Sequence, residues 1–186
     1  MQNNRIIIGC DLHNTLLFSN KAWVSAFLTC SKQKINKKII EEKMYQKCSR
    51  KKMAAEYNLD YNSVLEKYHE FVIPNAKLIK VLKSMQNSGF KVFLISSSTK
   101  EKVYKDLLKI DNCIKFDQVL TKENFCKAQS TDWTTMIDDN DADLMIYIGN
   151  DYDEDVINNE RVVSLLVGHF FKELKDSNVI SERGDL

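Results

Sequence analysis

Three places in the 186-residue chain end an apolar run in groups that can do chemistry. The first, IIIGCDLHNTLLF at residues 6–18, ends in a carboxylate (Asp11), an imidazole (His13), a turn-former (Asn14) and a hydroxyl (Thr15). The second, VFLISSST at residues 92–99, ends in Ser96, Ser97, Ser98 and Thr99. The third, LMIYIGNDYDED at residues 144–155, ends in Asn150 and the acids Asp151, Asp153, Glu154 and Asp155. A carboxylate can be a nucleophile or hold a hard cation, an imidazole can carry a proton near neutrality, and a hydroxyl can donate to an anion. Each group also has an ordinary use. An Asp, Ser or Thr just past a strand is a good helix N-cap, and an acidic run can be a solvated loop. The acids at 151, 153 and 155 also resemble the start of an EF-hand, but Val156 stands at the glycine position and Val162 at the bidentate Glu position, which excludes it.

These groups matter together only if the chain brings them to one place, and the pattern of elements says that it does. Residues 6–10, 91–96, 116–121, 144–150 and 162–168 read as strands, most of them continuously apolar, as in a sheet covered on both faces. Helical patterns lie between them. One opens at Asn75, a capping residue after the single proline Pro74, carries Leu78, Ile79, Val81 and Leu82, and stops at Gly89. Another is KEKVYKDLLKI, residues 100–110. Strands alternating with helices imply a parallel α/β sheet, and in such sheets reactive groups collect past the carboxyl ends of the strands. The three polar strand ends should therefore converge at one edge.

Residues 21–71 hold no proline or glycine and read as four helices. Their apolar positions are Ala22, Val24, Ala26, Phe27 and Leu28; Ile39, Ile40, Met44 and Tyr45; Met53, Ala54 and Tyr57; and Leu65, Tyr68, Phe71 and Val72. The organisation expected is a core of residues 1–18 and 74–186 with a helical cap, residues 19–73, inserted above the reactive edge.

Composition bounds the partners. The net charge of +1 gives no global field for nucleic acid, and basic residues are not interleaved with aromatics in a recognisable module. The charge is nonetheless uneven. Residues 19–73 carry eleven Lys/Arg against six Asp/Glu, and residues 117–160 carry twelve acids against two lysines, so the two regions should have opposite sign. No stretch approaches the roughly 18 apolar residues of a membrane span, and no leader peptide is expected. The five cysteines are scattered without a C-x-x-C pair, which suits free thiols in the cytoplasm rather than a disulfide framework or a zinc site. Trp23 and Trp133 are expected in the core, and His69 and His169 at surface or packing positions.

GCDLHNTL resembles the first motif of the haloacid dehalogenase (HAD) superfamily, an apolar strand followed by D-x-D-x-[TV]. VFLISSS resembles its second motif and YIGNDYDEDV its fourth, with the order, spacing and helical insertion all in agreement. The resemblance implies a three-layer Rossmann-like α/β fold with a small helical cap. It also implies a Mg²⁺-dependent hydrolase, a phosphatase of small phosphomonoesters that works through an aspartyl-phosphate on Asp11. By the same resemblance Asp11, the backbone carbonyl of His13 and acids of the fourth motif hold the metal. There Asn150 stands where Asp is common, Asp151 can substitute for it, and Asp155 matches the second acid. Ser96 would hydrogen-bond the transferring phosphoryl group, with Thr15, Ser97 and Ser98 as further donors and the following helix N-terminus aiding the anion. The third motif is a lysine, and Lys127 fits better than Lys122, although the family's usual Lys-Pro is here Lys127-Ala128. The implied partner is a small phosphorylated metabolite, with no nucleic acid or membrane, and the chain a monomer or homodimer.

His13 is the departure. In the family's phosphatases this position is an Asp that acts as general acid and base. Histidine can do both, since its ordinary pKa is about 6.5. Three readings stand at this point: a substitute acid/base, a specialised phosphotransferase or other HAD hydrolase, and a non-catalytic binding or regulatory protein.

Overall fold

The computed structural model describes residues 5–31, 35–168 and 179–180. The strands are β1 (Ile6–Cys10), β2 (Lys91–Ile95), β3 (Gln118–Leu120), β4 (Leu144–Gly149), β5 (Val162–Val167) and β6 (Val179–Ile180). The helices are α1 (Ser19–Cys30), α2 (Lys37–Tyr45), α3 (Arg50–Glu56), α4 (Tyr61–Phe71), α5 (Ala76–Asn87), α6 (Lys100–Leu107), α7 (Ser130–Asp139) and α8 (Tyr152–Asp155). The chain divides into two compact units, Met1–Leu16 with Asn75–Leu186, and Leu17–Pro74.

The first unit is a parallel sheet in the order β3-β2-β1-β4-β5-β6 with helices in the crossovers that join β1 to β5, a Rossmann-like α/β fold. Its central strands are apolar because both faces are covered: Ile7, Ile8, Val92, Leu94, Met145 and Tyr147 are all buried. Fully burying one such aliphatic side chain is worth about 1.5–3 kcal/mol. Gly9 sits where the sheet is tightest. A Cβ there would come within 3.0 Å of the Tyr147 ring and 3.1 Å of Met145 sulfur, so a side chain at this position would push on both.

Register aligns the strand ends. Cys10 of β1 lies opposite Leu94 of β2 and Ile148 of β4. The three polar strand ends therefore leave the sheet side by side. The ladder even extends one residue beyond β1, where Asp11 N–H donates to the Ile148 carbonyl (2.8 Å). α5 begins as expected, with Asn75 accepting from Leu78 N–H, and ends at Gly89 with φ +92°, a value that glycine adopts without strain. Val81, expected inside, is exposed, and the buried face is Ile79 and Leu82.

α7 was not anticipated. STDWTTMIDD is rich in residues that compete with the helical backbone for hydrogen bonds. Packing decides instead: Trp133, Met136 and Ile137, at i, i+3 and i+4, are buried together with Phe125, Met145 and Tyr147.

The second unit is all-helical. Asn36, Ser49 and Asp60 cap α2, α3 and α4 with their side chains. Trp23 of α1 stacks on Tyr68 of α4, with ring centroids 4.2 Å apart, so Trp23 is a core residue here as Trp133 is in the sheet unit. The helical stripes are narrower than the sequence suggests. Ile39, Tyr45 and Phe71 are exposed, because α2 turns only Ile40 and Met44 inward and α4 only Val64 and Tyr68. His69 packs edge-on to Tyr68 (5.0 Å), and His169 lies outside the described residues. All five cysteines are free. Among the described residues no helix is long and apolar enough to cross a membrane.

Candidate active site at the carboxyl edge of the sheet

The turn after β1 places alternate residues on opposite sides. Leu12 is fully buried, and Asp11 and His13 flank it. Asn14 takes φ +61°, a left-handed conformation that Asn tolerates better than most residues, and Leu16 N–H closes the turn on the Leu12 carbonyl (3.0 Å). Asn75, at the start of α5, pins the turn from below. Its side-chain amide donates to the Thr15 carbonyl (3.0 Å) and its N–H to the Leu16 carbonyl (2.8 Å).

Lys127 is the centre of one side of the site. Its ammonium donates to Asp11 Oδ1 (2.7 Å) and Asp155 Oδ1 (2.8 Å) and lies 5.3 Å from the centre of the Tyr147 ring. The indole N–H of Trp133 donates to the Lys127 carbonyl (2.8 Å), so the aromatic core also sets the backbone of this lysine. Lys122, the alternative, is exposed, and its backbone N–H donates to the Ser98 carbonyl (3.2 Å).

Asp155 accepts from four donors: Lys127 and the Tyr147 hydroxyl (2.9 Å) on Oδ1, and the N–H groups of Asn150 (2.9 Å) and Asp151 (3.0 Å) on Oδ2. Both oxygens are thus engaged. This geometry makes Asp155 the anchor of the lysine and of the loop after β4. Asp151 caps α8, its Oδ1 accepting from Asp153 N–H (3.0 Å) and Glu154 N–H (3.2 Å). Asn150 reaches toward Asp11. The Thr15 hydroxyl, 3.1 Å from Asn150 Oδ1 and 3.4 Å from Asp11 Oδ2, bridges the two.

The charges follow from burial. Burial pushes the Asp11 carboxyl up to about 7, with Asp155 adding to the shift and Lys127 opposing it. Burial works to strip Lys127 of its charge, but Asp11 and Asp155 overcome this and hold it above the ordinary lysine value. Burial, with Asp11 and Asp155 nearby, also drives the Tyr147 hydroxyl well up, so it stays a donor. Two carboxylates facing one ammonium leave a net negative site when both are ionised. A further cation would relieve it. The donors around Asp11 and Asn150 are oxygens, which suits Mg²⁺ rather than a thiophilic metal. Among the described residues no three His, Cys, Asp or Glu side chains gather into a metal cage.

The other side is built on His13. Its Nε2 is 2.8 Å from Asp106 Oδ2, and its Nδ1 is 3.4 Å from Ser98 Oγ. Burial holds the imidazole below its ordinary value, and the hydrogen bond with Asp106 opposes that shift. Ser98 N–H in turn donates to Ser96 Oγ (3.3 Å), and Ser96 itself is buried at the end of β2. Ser97 is exposed. Thr99 stands at the N-cap of α6 without a side-chain cap bond. The anion at this helix N-terminus comes from the chain itself: Glu123 accepts from Lys100 N–H at 3.0 and 3.1 Å.

Asp106, Tyr147 and Asn75 are the site-shaping residues that the motifs do not reveal. Asp106 had one visible signal. It falls between Val103 and Ile110 at i+3 and i+7, on a stripe whose other members are buried.

No family model matches the sequence, and no curated protein matches it either. Solved structures do match. A protein from Thermotoga maritima, provisionally named a beta-phosphoglucomutase, superposes with a TM-score of 0.69 at 10% identity, over 94% of this chain and 92% of that one. A HAD-superfamily hydrolase from Ehrlichia chaffeensis gives 0.54 at 10% identity, over 98% and 93%. A predicted phosphatase from Clostridium acetobutylicum gives 0.56 at 15% identity, over 96% and 93%. The chain has the fold of the HAD-like hydrolases.

Proposed function

We propose that this protein is a Mg²⁺-dependent phosphatase of a small phosphomonoester, with Asp11 as nucleophile. The observation that carries the reading is the placement of Asp11 beyond the central strand with Oδ1 held by Lys127, itself held by Asp155. Such an arrangement aims a carboxylate and keeps a fixed positive charge where phosphoryl charge develops.

In the first half-reaction an Asp11 oxygen attacks phosphorus, the ester P–O bond breaks, and the leaving oxygen takes a proton from His13. In the second, water attacks phosphorus, its proton passes to His13, and the bond to Asp11 breaks, which regenerates the carboxylate and frees phosphate. Ser96 and Ser98 donate to phosphoryl oxygens. Asp11, Asn150 Oδ1 and the His13 main-chain carbonyl would hold Mg²⁺, which when bound neutralises charge between an anionic nucleophile and an anionic substrate. Dispersed free cysteines support a cytoplasmic protein, and a near-zero net charge supports action on a phosphorylated metabolite rather than nucleic acid.

The test is hydrolysis of an aryl phosphate with and without Mg²⁺. Wild type should turn over only with the metal and form a phosphoryl adduct detectable by intact mass. Asp11→Asn should lose the adduct and about four orders of magnitude or more in rate. A wild type inert on a broad phosphate panel, beside a His13→Asp variant that gains activity, would leave a binding protein instead.

A further inference from the structure

We infer that Asp106 is the positioning residue for His13: its carboxylate receives the Nε2–H and so turns Nδ1, beside Ser98, toward the reaction. The inference rests on the phosphatase reading for its kinetic consequence but not for its geometry.

Asp106 lies 93 residues from His13 in sequence, on the inward face of α6 with Val103, and both are fully inaccessible to solvent. A carboxylate on such a face costs several kcal/mol unless it is paired. An apolar residue would have served packing better. The 2.8 Å contact with His13 Nε2 gives the charge a directed partner. We place the hydrogen of this bond on the ring, where the carboxylate can accept it. That leaves Nδ1, beside the Ser98 hydroxyl at 3.4 Å, as the nitrogen that exchanges a proton with the reactants. Ser98 N–H continues to Ser96 Oγ, so one chain of contacts runs from the buried carboxylate through the imidazole to the serine that ends β2.

The need for this device follows from the residue type. An aspartate at position 13 would present two equivalent oxygens on a short stem. Histidine has two unlike nitrogens on a ring that can flip, and only one of them can face the leaving group. A second group must decide which, as the orienting partners of functional histidines commonly do.

Proton NMR reads the contact directly. Wild type, with and without Mg²⁺, should show a downfield, slowly exchanging ring N–H signal that is absent in His13→Asp and in Asp106→Asn. Asp106→Glu keeps the charge on a longer stem and should retain a shifted signal, which serves if the amide variant does not fold. In aryl phosphate hydrolysis Asp106→Asn should lower kcat 10–100-fold with KM little changed. In the His13→Asp background the same change should cost nothing further. An absent wild-type signal, an unchanged kcat in Asp106→Asn, or an equal loss in both backgrounds overturns the inference. A wild type without phosphatase activity that still shows the signal, and loses it in Asp106→Asn, sinks the phosphatase reading and supports the ring orientation.

Discussion

The two sides of the β1 strand end are held by different physics. Around Lys127 the binding is electrostatic and many-handed: one ammonium, two carboxylates, a tyrosine hydroxyl and two backbone N–H groups share two side chains' worth of oxygens. Around His13 it is directional and sparse, with one carboxylate on one ring nitrogen and one hydroxyl on the other. The first arrangement can lose a hydrogen bond and keep its shape but cannot lose its central charge. The second loses its orientation with a single bond. The division has a chemical use. In the proposed reaction the Lys127 side would stay in place while charge builds on phosphorus, whereas the His13 side would present one atom for proton transfer.

The sharpest way to break this comparison is to remove the shared cation. Lys127→Ala leaves two buried carboxylates facing each other, and urea denaturation should show a loss of about 3–5 kcal/mol along with the activity. The downfield signal of His13 should survive in whatever fraction remains folded, because nothing in the Lys127 cluster orients that ring. Gly149→Ala acts on the same side through sterics. A Cβ there would collide with the Asp155 side chain, so Asp155 and the loop behind it must shift. About 1–3 kcal/mol should be lost in the same assay, and Lys127 should be less well aimed at Asp11. The smallest effect is expected from Tyr147→Phe. It removes one of four donors to Asp155, at about 1 kcal/mol, and turnover should fall only modestly. A Tyr147→Phe loss as large as that of Lys127→Ala would show that the cluster is a directional network, and the contrast with the His13 side would collapse.

Much of the Lys127 side was legible in the sequence. Asp11, Asn150 and Asp155 stand at the ends of apolar runs, and a strand buried on both faces betrays itself by composition alone. The preference for Lys127 over Lys122 rested on the family pattern, and the structure brings Lys127 to Asp11 through a loop whose course the aromatic cluster of Phe125, Trp133 and Tyr147 sets. The role of Asp155 was harder to see. Spacing puts an acid there, but only the course of the loop after β4 turns two N–H groups onto one of its oxygens. The helical unit shows the same limit in a simpler form: the existence of four helices follows from absent Pro and Gly and from the spacing of apolar residues, yet their inward faces are narrower than those residues suggest.

Sequence by itself determined the sheet, its parallel sense, the convergence of three polar strand ends and the identity of the residues there. These depend on local signals, apolar runs and the turn residues that end them, which read the same in any context. Tertiary structure alone decided what those residues do to one another. KEKVYKDLLKI is a lysine-rich helix in which Asp106 falls on the apolar stripe of Val103 and Ile110, but nothing along the chain names its partner. Its burial depends on how α6 is rotated against the sheet, and its contact with His13 crosses 93 residues. Hydrogen bonds and pKa shifts act over a few ångströms of space, with no regard to distance along the chain, so the partner of His13 could be read only from the fold.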